Sequence, residues 1–167
     1  MIDPRRRSFL RGAFSTLRDP IVAPARPPWA LAEHEFLATC TRCGECTTAC
    51  PRKLISPGDG GYPVVSFARD GCTLCGDCER ACRPRALVRG EGRPAWTWKA
   101  VIDGRCLSVR HVECRACADA CTAAAISMHP VEGAVPEPKV SAATCTGCGE
   151  CEARCPALAI RMISPAA

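Results

Sequence analysis

Apolar residues occur along this chain in short bursts, none longer than four residues, each ended by glycine, proline, a charge or another polar residue. Five stretches carry enough pattern to predict an element. Residues 29–37 combine helix formers with apolar positions three to four apart, behind Pro27-Pro28 at a favourable helix start, so a helix is expected there. The turn signal Pro57-Gly58-Asp59-Gly60-Gly61 leads into residues 62–67, which have strand composition, and Ala86-Leu87-Val88 is a second short strand. Residues 133–140 and 159–163 predict the corresponding strands later in the chain. Glu79-Arg80-Ala81 and Ala118-Asp119-Ala120, each just before a cysteine, suit the opening of a short helix.

So many small elements need a core, and composition leaves little to build one. The hydrophobic class makes up 47% of the 167 residues, but much of it is alanine and the sixteen cysteines, leaving 37 large aliphatic, methionine or aromatic side chains. Their burial barely offsets the ordering entropy of the backbone, so the fold needs a staple, either disulfides or metal. A large α/β enzyme or an all-β sandwich would need a branched-aliphatic core, and a disordered chain would lack such cysteine density. No stretch approaches the roughly 18 apolar residues of a membrane span.

The formal net charge is +5, but residues 1–31 hold six arginines against Asp3 and Asp19, so the rest of the chain is close to neutral. With eight aromatics in all, the body has no basic, aromatic-rich face for nucleic acid.

The cysteines reveal a repeat. Every one falls in one of four groups: Cys40, Cys43, Cys46, Cys50; Cys72, Cys75, Cys78, Cys82; Cys106, Cys114, Cys117, Cys121; and Cys145, Cys148, Cys151, Cys155. Three groups are C-x₂-C-x₂-C-x₃-C, the run with which bacterial ferredoxins hold [4Fe–4S] cubanes. Three thiolates two residues apart let one tight loop wrap three corners of a cube, while the fourth cysteine points away and reaches the neighbouring cluster. Pro51 and Pro156 directly follow their fourth cysteines, Arg83 intervenes before Pro84, and Thr122 replaces proline in the third group. That group is displaced to C-x₇-C-x₂-C-x₃-C, with Cys106 supplying a corner across a longer loop.

Crossing the fourth ligands assigns all sixteen cysteines to four [4Fe–4S] clusters. The first takes Cys40, Cys43, Cys46 and Cys82; the second Cys72, Cys75, Cys78 and Cys50; the third Cys106, Cys114, Cys117 and Cys155; the fourth Cys145, Cys148, Cys151 and Cys121. Zinc sites usually pair two separated knuckles and have no use for this run. Cysteines two apart in a tight loop seldom suit disulfide geometry. His34, His111 and His129 share no spacing with the cysteines and are read as surface or satisfied histidines rather than ligands. No nucleotide loop, nucleophile elbow or paired carboxylates are recognisable, so the chain is not read as an enzyme.

The fold class expected is α+β, with tandem bacterial-ferredoxin-like units of small strands and short helices around the clusters. The polar stretch Arg89–Pro94 reads as a linker, giving a basic tail over 1–27, a first two-cluster half over 28–92 and a second over 93–167. Trp96 and Trp98 alternate in strand fashion and are expected to cover the cysteine loops or the contact between halves. In the tail, Arg6-Arg7-Ser8-Phe9-Leu10-Arg11 looks like a twin-arginine export signal. Ala23-Pro24-Ala25 imitates a cleavage site, but only six uncharged residues separate Arg11 from Arg18, fewer than the roughly 7–15 of an export signal's apolar region.

Several features taken together resemble one family. They are the basic start, Arg26-Pro27-Pro28-Trp29, the Ala38–Cys43 entry, Gly60-Gly61-Tyr62-Pro63, the displaced group from Cys106 to Cys121 and the closing Cys145–Cys151 run. In order along nearly the whole chain, they resemble the ferredoxin-type accessory proteins of periplasmic nitrate reductase systems. The resemblance implies a cytoplasmic iron–sulfur protein that binds the molybdenum-containing catalytic subunit before its export and assists its maturation or cluster loading. It also implies that the arginine motif is not used for export. The alternative is an electron-transfer subunit exported with its partner, in which four clusters form a wire.

Overall fold

The computed structural model describes residues 25–164, and the arginine motif at 6–11 lies outside them. Within that span the chain is α+β, with five short helices and six short strands. It forms two units of similar plan. In the second, β3 (Lys99–Ile102) pairs antiparallel with β6 (Ile160–Ile163), enclosing both cysteine groups, and β4 (Ile126–Val131) pairs with β5 (Ala134–Val140) in a hairpin between them. In the first, β1 (Ile55–Pro57) and β2 (Pro63–Val65) form the equivalent hairpin, with Ile55 opposite Val65. Where β3 and β6 would correspond, a single antiparallel bridge joins Ala30 to Leu87.

That bridge explains why the strand expected at 86–88 does not lengthen. Pro27 and Pro28 cannot donate to a ladder, and Trp29 has φ 58°, which turns the chain away. The same residues correct the helix expected over 29–37. Trp29 to Leu31 are used for edge pairing, with Trp29 N donating to Ala95 O at 2.9 Å and Leu31 N to Ala86 O at 3.0 Å. Helix α1 therefore starts late, at Glu33–Thr39, behind an extended Ala32. It buries Phe36.

The other helices are single turns: α2 (Glu45–Ala49), α3 (Asp77–Arg80), α4 (Ala116–Asp119) and α5 (Glu150–Ala153). Each holds the third cysteine of its group and closes before the fourth, so the segments expected to open helices instead end them. Three of these turns are entered through a left-handed glycine, Gly44, Gly76 or Gly149, at φ 76–83°. A β-carbon at that φ would be strained. The predicted strands at 62–67, 133–140 and 159–163 are found as β2, β5 and β6, while their partners β1 and β4 and the strand β3 were not expected.

Two apolar clusters hold the body together. The first packs Phe36, Leu54, Ile55, Val65, Phe67, Leu87 and Trp96 around cysteines of the first two groups. The second has only Ile126 and Ile160 as large buried side chains, with Ala100, Cys117 and Cys151. Trp96 and Trp98 lie just before β3, with rings stacked 5.2 Å apart and only 10° from parallel. Phe67 from the first unit meets both edge-on, at 5.6 and 6.1 Å.

The segment from Arg26 to Leu31 straps the units together. Arg26 donates to both Glu33 carboxylate oxygens and lies over the Phe36 and Tyr62 rings, while its carbonyl accepts from Trp96 Nε1 at 2.9 Å. That ion pair holds the Glu33 carboxyl below the usual carboxylate range. Trp29 is buried beneath the Arg89 guanidinium, 4.9 Å from its ring centre. Trp29→Ala should therefore cost about 3 kcal/mol, whereas Ile163→Ala, on a half-exposed side chain, should cost less than about 1 kcal/mol. Anaerobic urea unfolding of the two variants beside the wild type measures the difference.

Candidate metal centres

Each cysteine group forms a loop in which the third cysteine is buried, and in the first two groups the second lies outermost. Cys43 and Cys75 are exposed, Cys114 and Cys148 half-buried, and Cys46, Cys78, Cys117 and Cys151 buried. Left-handed residues aim these loops. Arg42, Leu74 and Gly147 immediately precede the second cysteine of their groups at φ 57–77°. Three residues after each fourth cysteine comes another left-handed residue: Lys53, Arg85, Ala124 and Leu158. The N–H of each donates to the carbonyl of that fourth cysteine. A turn that recurs four times at residues with β-carbons, where left-handed geometry costs about 1 kcal/mol each, is imposed by what it positions. In two groups the next amide reaches the sulfur itself: Ala125 N donates to Cys121 Sγ at 3.2 Å and Ala159 N to Cys155 Sγ at 3.3 Å.

The loops enclose four cavities. Cys40, Cys43, Cys46 and Cys82 line one. Cys50, Cys72, Cys75 and Cys78 line a second, roofed by Trp29 and Trp96. Cys106, Cys114, Cys117 and Cys155 line a third, and Cys121, Cys145, Cys148 and Cys151 a fourth. In each, three sulfurs come from one group and the fourth from the neighbouring group of the same unit. Among the described residues no three Cys, His, Asp or Glu side chains close on a point as a single metal ion requires. The sulfurs surround a space instead, bordered by Leu54, Ile55 and Val65 in the second cavity and by Ile126 and Met162 in the fourth.

Electrostatics fits such a space to a cationic, sulfur-seeking centre. Burial pushes the thiols up first, and neighbouring cysteines add to it: Cys72 and Cys117 to about 11, Cys78 and Cys151 to about 12. Cys46 is raised for the same reason, chiefly burial and then Cys82 and Cys40. At neutral pH these thiols stay protonated unless a positive centre compensates both the lost water and the mutual repulsion. The donor sets therefore fit iron–sulfur clusters, which take four cysteine thiolates each.

The third cavity is built differently, and sequence reading missed how. Between Cys106 and Cys114 the chain makes a 3₁₀ turn over Ser108–Arg110, closed by His111 at φ 62°. Ser108 is 1% exposed, and its hydroxyl donates to the Cys114 carbonyl at 2.9 Å. This hydrogen bond folds the seven-residue loop back, so Cys106 reaches the cavity. Arg115, at φ −125°, stands where the other groups have a left-handed glycine. A buried serine in a C-x₇-C loop has no local sequence signal, because its partner is a carbonyl. His34, His111 and His129 are exposed.

Residues 39–87 and residues 112–159 each match a family model described as a 4Fe-4S dicluster domain. Ferredoxin-type protein NapF of Haemophilus influenzae is 42% identical over 163 residues, covering 94% of this chain and 92% of its own. The chain belongs to the NapF family. NapF of Escherichia coli is 38% identical over 159 residues, covering 95% of this chain and 94% of its own. The methylamine utilization ferredoxin-type protein MauM of Paracoccus denitrificans is 37% identical over 165 residues, with 88% of this chain and 74% of its own covered. NapF-type proteins are ferredoxin-type iron–sulfur proteins rather than enzymes, and the two dicluster units fit that class.

Two outcomes follow from this geometry. Because thiols raised to about 11–12 must each lose a proton to bind iron, iron uptake by metal-free protein should strengthen as pH rises from 6.5 to 9. Competition with a ferrous chelator across that range measures it, and a pH-independent affinity would contradict the argument. Ser108→Ala removes a buried hydrogen bond worth about 1 kcal/mol. About a quarter of the iron should then leave to the chelator roughly fivefold faster, with the remainder unchanged.

Proposed function

We propose that the chain is a cytoplasmic iron–sulfur accessory protein that holds four [4Fe–4S] clusters. It binds the molybdenum-containing catalytic subunit of a periplasmic nitrate reductase before export and assists its maturation or cluster loading. The observation that carries the cofactor part is the convergence of four cysteines on each of four cavities, three from one group and one from its neighbour. All sixteen cysteines act as ligands, and residues 28–92 and 93–167 are the two-cluster halves. The partner part rests on the NapF relatives, which cover more of their own length than MauM does.

Such clusters supply one-electron redox chemistry and a store of iron and sulfide. The chain's own residues wrap and shield them. The buried third cysteines anchor each loop to an apolar cluster, while exposed Cys43 and Cys75 leave one edge of two cavities at the surface. An outward edge suits transfer to a docked partner, since tunnelling and cluster donation both need close approach. Among the described residues no helix is long and apolar enough to cross a membrane.

Anaerobically purified protein should contain about 16 iron and as many acid-labile sulfides. With the N-terminus intact, it should fractionate with the cytoplasm and co-purify with the catalytic subunit that still carries its export signal. Replacing Arg6 and Arg7 by lysine should change neither result. A periplasmic form processed after Ala25, lost on that replacement, would instead establish the exported electron-transfer subunit.

A further inference from the structure

The contacts between the two units gather around the second and fourth cysteine groups. Cys72 N donates to Cys148 O at 2.7 Å, so two cysteines from different halves share one hydrogen bond. Beside it, Gly71 N donates to a Glu150 carboxylate oxygen at 3.2 Å. Two glycines permit this approach. A β-carbon on Gly71 would lie 2.6 Å from the Glu150 backbone nitrogen, and one on Gly149 would run into the Phe67 ring. The Cys148 thiol also lies close enough to Cys72 to disfavour its ionisation. Within each half, α2 packs on α3 and α4 on α5, bringing Cys46 near Cys78 and Cys117 near Cys151.

We infer that electrons cross between the halves where the Cys72 loop meets the Cys148 loop, so the four sites connect in the order first, second, fourth, third rather than in chain order. This rests on the four-cluster reading above. The path from Cys72 Sγ to Cys148 Sγ runs through covalent bonds and that single hydrogen bond. One electron leaves the second site, which is oxidised by one, and arrives at the fourth, which is reduced by one; no bond is made or broken. The third site, reached through the long Cys106 loop, is one end of the relay, and the first site, with exposed Cys43, is the other.

The test is electron paramagnetic resonance of full-length protein reduced anaerobically with dithionite, with iron and sulfide counted on every sample. Cys43→Ala with Cys114→Ala keeps the second and fourth sites; Cys43→Ala with Cys148→Ala keeps the second and third. The first pair should show spin–spin splitting and the second should show two isolated signals. Adding Gly71→Ala to the first pair should abolish the splitting at unchanged iron. In the intact chain, where no ligand is lost, Gly71→Ala alone should alter the fully reduced spectrum at unchanged iron. Splitting in the second pair and none in the first would overturn the order, as would a Gly71→Ala spectrum identical to wild type. Wild-type iron far below about 16 would sink the four-cluster reading itself, and that count is made before any variant is read.

Discussion

Ionisation of cysteine sulfur inside an apolar wall is the constraint on which this structure depends. Two unit charges about 4 Å apart repel by about 4 kcal/mol at an effective dielectric near 20, and each cavity gathers four cysteines. Burial first, and then the neighbouring cysteines, push Cys78 and Cys151 up to about 12. An iron–sulfur core reverses both terms by supplying positive charge and covalent bonds. The polypeptide is shaped accordingly. Its four cysteine-bearing helices are single turns because each need only carry one buried cysteine inward, and its strands are short because they only close the loops. The recurring left-handed residues after each fourth cysteine are local costs tolerated because they aim amides at carbonyl and sulfur.

What could be read from the chain divides along the range of the interactions. Three of the four cysteine loops were legible because x₂ spacing fixes three sulfurs on one loop, and x₃ sends the fourth to the neighbour, both properties of a few consecutive residues; how Cys106 joins its loop was not. The strands at β2, β5 and β6 were legible for the same reason, through β-branched residues next to turn signals. Their partners were not. Ile55-Ser56-Pro57 reads as the start of a turn, and Ile126–Val131 contains His129-Pro130; both become strands only because a partner hairpin arm lies beside them. Trp29 shows the opposite failure. Its neighbours favour a helix, but the edge of residues 86–88 and Ala95 takes their backbone groups, and a bulky residue is held left-handed as a result. Ser108 and the Gly71–Glu150 contact are tertiary facts with no local signature.

The stretch Arg89–Pro94 has the composition of a flexible linker, yet the packing around it is that of a joint held shut. Arg89 covers Trp29, Arg93 donates to the Ala30 carbonyl at 2.7 Å, and Trp96 donates to Arg26 O. Gly and Pro there provide a tight change of direction rather than freedom.

This joint matters more to the second unit than to the first. The first has its own aromatic core, whereas the second has two large buried aliphatics and relies on what it borrows. Phe67 of the first unit closes over Gly149, and Met162 packs into the first unit's apolar cluster as well as its own. So thin a core would not outweigh backbone entropy alone. The second unit therefore owes its order to its cysteine centres and to the face of the first. A surface already committed to holding the halves together cannot also be offered to a partner, which leaves the outer edges near Cys43 and Cys75, and the loop around Cys106, as the places where another protein could approach.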